Sequence, residues 1–387
     1  MSNRHIHILY VTTIATTASA FLTPLIRHYR ALGGRVDVAA NGVSGTELEE
    51  CCDTLYQMNW SRSLRHCGRS VMEGLRLRRI IESGRYDIVH VHTAIASFCT
   101  RIWMPRKVTP RPGVIYTAHG FHFHSGGGRV TNALWRSAEM LAAKWTDYLV
   151  VINQEDADFA MRHNMLSPDR IVRMPGIGVD TAQMASMSPS LDAIQKFRQE
   201  LGISAVDKLF VMVAEFNPGK RHADALHAFA RLSRAHCHLA FAGTGRLMEP
   251  VRMLAKQLGI GDRVHFLGFR RDIPVLLGSS DFMLLPSERE GLPRSIMEAF
   301  CLGVPVIATD IRGSRDLVAG RGFLVPVGNP EALAGAIRRV LEHPDEAAAM
   351  AASARTAVRQ YDVSNVIRMH DDLYERVLQS QASEAYV

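Results

Sequence analysis

Residues 284–310 read LLPSEREGLPRSIMEAFCLGVPVIATD, and this stretch decides the fold. An apolar run ending at Leu285 meets Pro286, the pattern of a buried strand stopping at a sheet edge. A charged, glycine-bearing loop follows over 287–293, and then a helix over 294–302. Pro293 sits where its missing N–H costs nothing, and Gly303 supplies the stop. Residues 304–308 form a second apolar strand. In an open α/β sheet, ligands bind beyond the carboxyl ends of such strands. Glu290 then stands in the loop at a crevice mouth and Glu298 on the helix behind it, with seven residues between them. The backbone amides of Arg294, Ser295 and Ile296 belong to a helix N-terminus, whose donors and dipole favour a phosphate. One carboxylate can accept from sugar hydroxyls and the other from a ribose diol, the combination a nucleotide-sugar needs. Taken singly, either glutamate reads more readily as a solvated acid at a helix start, and only the pair set within strand, loop, helix and strand favours a binding site.

Working outward, apolar strands recur at 209–214 (LFVMVA), 238–242 (HLAFA) and 264–267 (VHFL), each followed by a helix-like stretch. The N-terminal part repeats the alternation, with strands at 6–11 (IHILYV), 36–40, 87–92 (DIVHVH), 114–118 and 148–152. Such alternation predicts two doubly wound parallel sheets. Residues 173–195, rich in Gly, Pro, Ser and Met, read as the linker between them, and 365–380 have the amphipathic period of a closing helix. The expected division is an N-terminal domain over 1–185, a C-terminal domain over 186–364, and a helix over 365–387 that crosses back to the first. The first strand-to-helix turn carries no GxGxxG, which argues against a dinucleotide dehydrogenase. Thr12, Thr13 and Thr16 offer hydroxyls and amides there instead.

With 387 residues and 47% hydrophobic composition, the chain can bury two ordinary cores. No apolar run is long enough to span a bilayer, and the N-terminus runs straight into a strand without a cleavage site. The six cysteines lack CxxC spacing, a reduced, cytoplasmic pattern. The net charge of +7 is uneven: residues 1–186 carry 21 basic against 15 acidic side chains, and the remainder 24 against 23. Arginines cluster over 62–79 and 101–111, interleaved with Leu64, Val71, Leu75 and Leu77 and flanked by Trp103 and Met104. That face suits an anionic membrane surface or reads as an ordinary solvated helix face. No nucleic-acid recognition motif accompanies the charge.

The run EGLPRSIMEA followed by GVPVIA resembles the E-x7-E signature of family 4 glycosyltransferases, retaining enzymes of GT-B fold, and the resemblance extends over nearly the whole chain. It implies two Rossmann-like doubly wound domains facing across a cleft. It also implies a nucleoside-diphosphate sugar bound by the second domain, with Glu290 on the donor hexose and Glu298 on the ribose. Gly291, Leu292, Arg294 and Ser295 complete that loop.

Lys220 follows the first strand of the second half, where a cation can neutralise a diphosphate leaving group. The family pattern there is G-R-L-x-x-x-K. This chain keeps the lysine but has Ala214-Glu215-Phe216, so the phosphate-binding arginine is replaced by Glu215. Arg221 and Arg294 are the candidates to substitute for it. Gly243 and Gly245 form a turn after a strand where backbone can approach a ligand, and residues 266–270, with Phe269, are expected near the nucleobase. His119, in TAHGFHFHSGGG, matches a family histidine beside the transferred sugar, and Gly126–Gly128 suggest a mobile lid. His90, His92, His119, His122 and His124 lack metal-site spacing. Asp156-Ala157-Asp158, a DxD, stands at a helix start where acids favour the dipole.

The resulting expectation is a metal-independent retaining hexosyltransferase without cofactor. It would move a UDP-hexose or UDP-N-acetylhexosamine sugar, favoured over GDP-mannose, onto a polyprenyl-diphosphate-linked or oligosaccharide acceptor. The setting would be surface polysaccharide synthesis (exopolysaccharide, capsule or O-antigen), in the cytoplasm and on the inner face of the cell membrane. Rival readings are a nucleotide-sugar 2-epimerase or hydrolase on the same fold, and a non-catalytic nucleotide-sugar-binding protein.

Overall fold

A computed structural model describes residues 5–60, 67–105, 110–124, 126–232 and 236–384. The chain divides into two compact units: Met1–Ile177 with Val363–Val387, and Gly178–Asp362. The first unit holds β1 (His7–Ile14), β2 (Arg35–Asn41), β3 (Thr54–Gln57), β4 (Ile88–His92), β5 (Gly113–Ala118), β6 (Tyr148–Val151) and β7 (Ile171–Arg173). They form one parallel sheet in the order β3-β2-β1-β4-β5-β6-β7. In the second unit, β8 (Lys208–Val213), β9 (Cys237–Ala242), β10 (Val264–Phe266), β11 (Phe282–Leu285), β12 (Val306–Thr309) and β13 (Phe323–Val325) run β10-β9-β8-β11-β12-β13, again all parallel.

The near-continuous apolar strands follow from burial on both faces of a parallel sheet. Along β1 the side chains alternate: Leu9 and Val11 enter one core with Val89, Val91 and Val114, while Ile8 and Tyr10 enter another with Val36, Val38 and Ile88. The last helix, Val363–Glu384, lays Leu373, Tyr374 and Val377 into that second core. Gly113, at the start of β5, lies under it so closely that a Cβ there would stand 2.1 Å from Val377.

The structure departs from the sequence reading at three kinds of place. First, β3, β7 and β13 are strands the sequence reading lacks; each is three or four residues long and all three are sheet edges, too short to show a period. Second, the stretch read as an irregular linker carries helices Thr181–Ser186 and Leu191–Glu200, capped by Asp180 and Ser190 through bonds from the Gln183 and Ala193 amides. The change of unit falls inside this stretch, at Ile177, because residues beyond it bond to the second unit: Thr181 Oγ1 donates to Asp362 at 2.5 Å, and Val179 bridges Asp362. Third, Arg101 of the second arginine cluster is not a surface residue. Arg101 is 1% exposed, donates to Glu139 at 2.8 Å and lies 3.9 Å over the Tyr116 ring, while Arg111 pairs with Asp147. Arg62, Leu64, Arg65, Arg106 and Lys107 of the two clusters fall outside the described residues.

Leu373 is fully buried. Leu373→Ala is expected to cost about 2–5 kcal/mol, read as a lower urea midpoint, whereas Met253→Ala at an exposed helix position should stay within about 0.5 kcal/mol of the parent.

Candidate active site

In each sheet the strand order reverses once, between β1 and β4 and between β8 and β11. The carboxyl ends of strands at such a point frame a crevice.

In the second unit, β8 leads through residues 214–217 into a short turn, Pro218–Lys220. Arg221 then takes a left-handed conformation (φ +54°) as helix His222–Ala230 begins. This turn aims Lys220 at the loop after β11, where its Nζ donates to Glu290 Oε1 at 2.6 Å. The Glu288 amide bonds the Gly219 carbonyl at 2.8 Å and ties the same loops through the backbone. Lys220 and Glu290, 70 residues apart, thus meet at the reversal point.

Helix Arg294–Cys301 starts after Pro293 without a side-chain cap. The Ile296 amide donates to the Pro293 carbonyl at 3.2 Å, so of the three amides expected to face a ligand this one is engaged. Glu298 lies one turn on, largely buried; Arg294 Nε donates to it at 2.9 Å. Burial raises the Glu298 carboxyl above the usual range, opposed by Arg294. Arg294 is therefore occupied by Glu298, and Arg221 by Asp224 at 2.6 Å, with Glu288 3.8 Å away. Both candidates for the missing arginine are thus ion-paired. Glu215 itself is exposed and accepts from Asn217 at 3.1 Å.

Glycines let the loops close. A Cβ on Gly243 (φ +150°) would lie 2.0 Å from the Ala214 carbonyl oxygen, so the close approach this residue permits is to protein. A Cβ on Gly313 would lie 2.0 Å from the Gly291 carbonyl, which sets Gly291 and the buried Leu292 against helix Arg312–Val318. Phe269 stands 70% exposed in the loop after β10. His222, not singled out by sequence, stacks on Phe216 at 4.1 Å; burial and then Lys220 push it down to about 4.

In the first unit, β1 continues through Ile14, so Thr12 and Thr13 lie in the strand and not in the turn. Both are buried. Thr12 Oγ1 donates to the Ile14 carbonyl, and the Thr13 amide and hydroxyl both engage Thr93 Oγ1, at 3.0 and 2.7 Å. Their polar groups serve the protein, contrary to the expectation that they face a ligand. Thr93 holds φ +64°, an outlier for a β-branched residue. His119, half-buried after β5, places Nε2 at 3.0 Å from His92 Nδ1 and packs on Phe21 at 4.8 Å. His90 sits beneath, bonded to Tyr374 at 2.6 Å and Thr117 at 2.7 Å. Asp156 of the DxD is buried and accepts from the Phe121 amide, two residues beyond His119, at 3.0 Å. Among the described residues no group of three or more His, Cys, Asp or Glu could hold a metal ion.

Burial lowers His90 and His92 and pushes His119 and His370 down to about 4. Groups depressed in the fold bind protons more readily once unfolded, so stability is full above about pH 6.5 and falls as pH drops toward 4. The slope approaches about 1.4 kcal/mol per pH unit per histidine. The melting temperature should fall between pH 7 and pH 5, and His370→Phe should flatten that profile in a thermal-shift series.

A sequence model described as Glycosyltransferase Family 4 matches residues 18–183, and one described as Glycosyl transferases group 1 matches residues 193–357. EpsD of Bacillus subtilis (strain 168), named as a glycosyltransferase, is 29% identical over 98% of this chain and 99% of its own. An Escherichia coli UDP-Gal:alpha-D-GlcNAc-diphosphoundecaprenol alpha-1,3-galactosyltransferase is 28% identical over 69% of this chain and 70% of its own. Among solved structures, Anabaena Alr3699/HepE superposes with a TM-score of 0.80 at 22% identity, covering 96% of this chain and 100% of that one. Both sheets, both matches and these relatives agree: the chain belongs to the family 4 glycosyltransferases of GT-B fold.

Proposed function

We propose that the enzyme is a retaining hexosyltransferase that moves a hexose or N-acetylhexosamine from a UDP-sugar to a polyprenyl-diphosphate-linked glycan, in surface polysaccharide synthesis. The observation that carries this reading is the Lys220–Glu290 contact at the β8–β11 reversal point, with Glu298 and the start of helix Arg294–Cys301 beside it. An ammonium has three N–H groups, and Glu290 takes one, leaving donors for diphosphate oxygens. Glu290 accepts from hexose hydroxyls, Glu298 from the ribose, and the Ser295 amide adds a donor to the phosphate.

As the bond between the sugar's anomeric carbon and the phosphate oxygen breaks, Lys220 stabilises charge on the leaving UDP. The acceptor hydroxyl forms the new bond on the same face and gives its proton to the departing phosphate oxygen. No metal or cofactor takes part in this scheme. The relatives support the donor and acceptor classes: the Escherichia coli galactosyltransferase is named for UDP-Gal and a diphosphoundecaprenol-linked sugar, and HepE has been crystallised with UDP-glucose.

A membrane-borne acceptor calls for a membrane-facing surface, and helix Arg129–Ala143 supplies a candidate. Val130, Leu134 and Leu141 fall on one face, exposed by 74%, 65% and 45%. Arg129, Arg136 and Lys144 are exposed around them, and the helix's only acid, Glu139, is buried against Arg101. An apolar stripe ringed by cations complements an anionic bilayer.

Glu290→Ala should abolish transfer without unfolding the protein, and Lys220→Ala should lower kcat by roughly 10- to 150-fold, the equivalent of about 1.5–3 kcal/mol. Parent-like turnover in either variant would defeat the reading. Conversion of donor alone, without acceptor, would point to an epimerase or hydrolase. The protein should co-sediment with phosphatidylglycerol vesicles more than with phosphatidylcholine ones, and Leu134→Asp with Val130→Asp should abolish that difference; unchanged binding would remove this helix as the docking face.

A further inference from the structure

His92 closes β4, fully surrounded by protein. Its Nδ1 lies 3.0 Å from His119 Nε2, its ring stacks on His90 at 4.2 Å, and its Nε2 meets no hydrogen-bond partner. The cavity that His92 and His119 share is walled mostly by apolar side chains, Phe21, Leu22, Leu25, Val150 and Ile177 among them; of its polar lining, Thr117 bonds His90 and His370 bonds the Val366 carbonyl.

One proton lies between the two rings, and it can sit on either. If His119 Nε2–H donated to His92, a neutral His92 would carry its own proton on Nε2, a buried N–H that meets no acceptor. If His92 Nδ1–H donates to His119, its Nε2 is a bare lone pair. A buried N–H without an acceptor is the rarer state in folded proteins, and an unmet lone pair is tolerated more often. The second arrangement therefore holds. His119 then accepts at Nε2 and carries its proton on Nδ1, the nitrogen that has no bond to protein among the described residues.

The surroundings fix this geometry. His90, clamped by Tyr374 and Thr117, supports the His92 ring from below, and Thr93, held at φ +64° by two bonds from Thr13, pins the chain directly after it. A strained residue held by its neighbours marks a place where position matters.

We propose that His92 is a positioning residue: it locks His119 in the Nδ1–H tautomer, so that His119 meets a sugar oxygen as a hydrogen-bond donor and not as a proton acceptor. This rests on the reading of His119 as a sugar-facing residue.

The test is long-range proton–nitrogen NMR on 15N-histidine protein at pH 7, with peaks assigned through His92→Phe and His119→Gln. Parent His119 should show a protonated Nδ1 and a bare Nε2. In His92→Phe it should revert to the Nε2–H form that free imidazoles favour, while His92→Asn, whose amide can still donate, should keep Nδ1–H. With GlcNAc-diphosphoundecaprenol as acceptor, UDP release from a mixture of UDP-glucose, UDP-galactose and their N-acetylamino counterparts should fall roughly tenfold in His92→Phe, the equivalent of one hydrogen bond, and recover in His92→Asn. A protonated Nε2 on His119 in the parent overturns the lock. The expected tautomer combined with full activity in His119→Gln overturns the sugar-facing role on which the proposal rests. Losses that follow melting temperature equally in both His92 variants overturn the positioning role.

Discussion

A parallel sheet whose strand order reverses leaves a gap, because the two connections departing there run to opposite faces. In the second unit Lys220 and Glu290 span that gap at 2.6 Å, and the loops around them are shaped to let them do so. Neither side chain is fully buried, so water offsets much of the attraction and the contact contributes little to folding. Its value is geometric: a flexible lysine stem is held pointing across the mouth. The glycines at 243, 245 and 313 serve the same end, since any side chain there would drive a neighbouring loop outward.

The corresponding gap of the first unit, between β1 and β4, has the opposite electrical character. Its end is lined by threonines and by imidazoles that burial keeps neutral. Buried polar groups of this kind must find partners or lose several kcal/mol, and most do so through a ladder running from Tyr10 and Tyr374 through His90 to Thr117. One reversal point thus carries formal charge, and the other carries uncharged polar groups bonded largely to one another.

Much of this was legible from residue order because the signals were local. The strand, breaker, loop and helix around Glu290 lie within 27 consecutive residues, and the lysine that meets it follows an equally plain strand. What escaped depended on partners distant in the chain. Arg101 looks like surface charge until Glu139 and Tyr116 are packed on it. Thr12 and Thr13 look available until Thr93, 80 residues on, takes up the Thr13 hydroxyl and amide. Arg294 is the exception, for its partner Glu298 lies only four residues on, a spacing that favours an ion pair on a helix. The three-residue edge strands carry too few side chains to declare a period at all.

The first unit is discontinuous: the chain leaves it at Ile177 and returns only at Val363. Its second core is completed by Leu373, Tyr374 and Val377, which a ribosome synthesises only after the whole inserted unit. During translation the inserted unit, all of whose strands are already in hand, can fold while the earlier one still exposes an open apolar sheet face. The two units therefore mature in reverse of their reading order, and a stop between Asp362 and Leu373 would leave the first unit with a sticky, unsealed surface for chaperones and proteases to find.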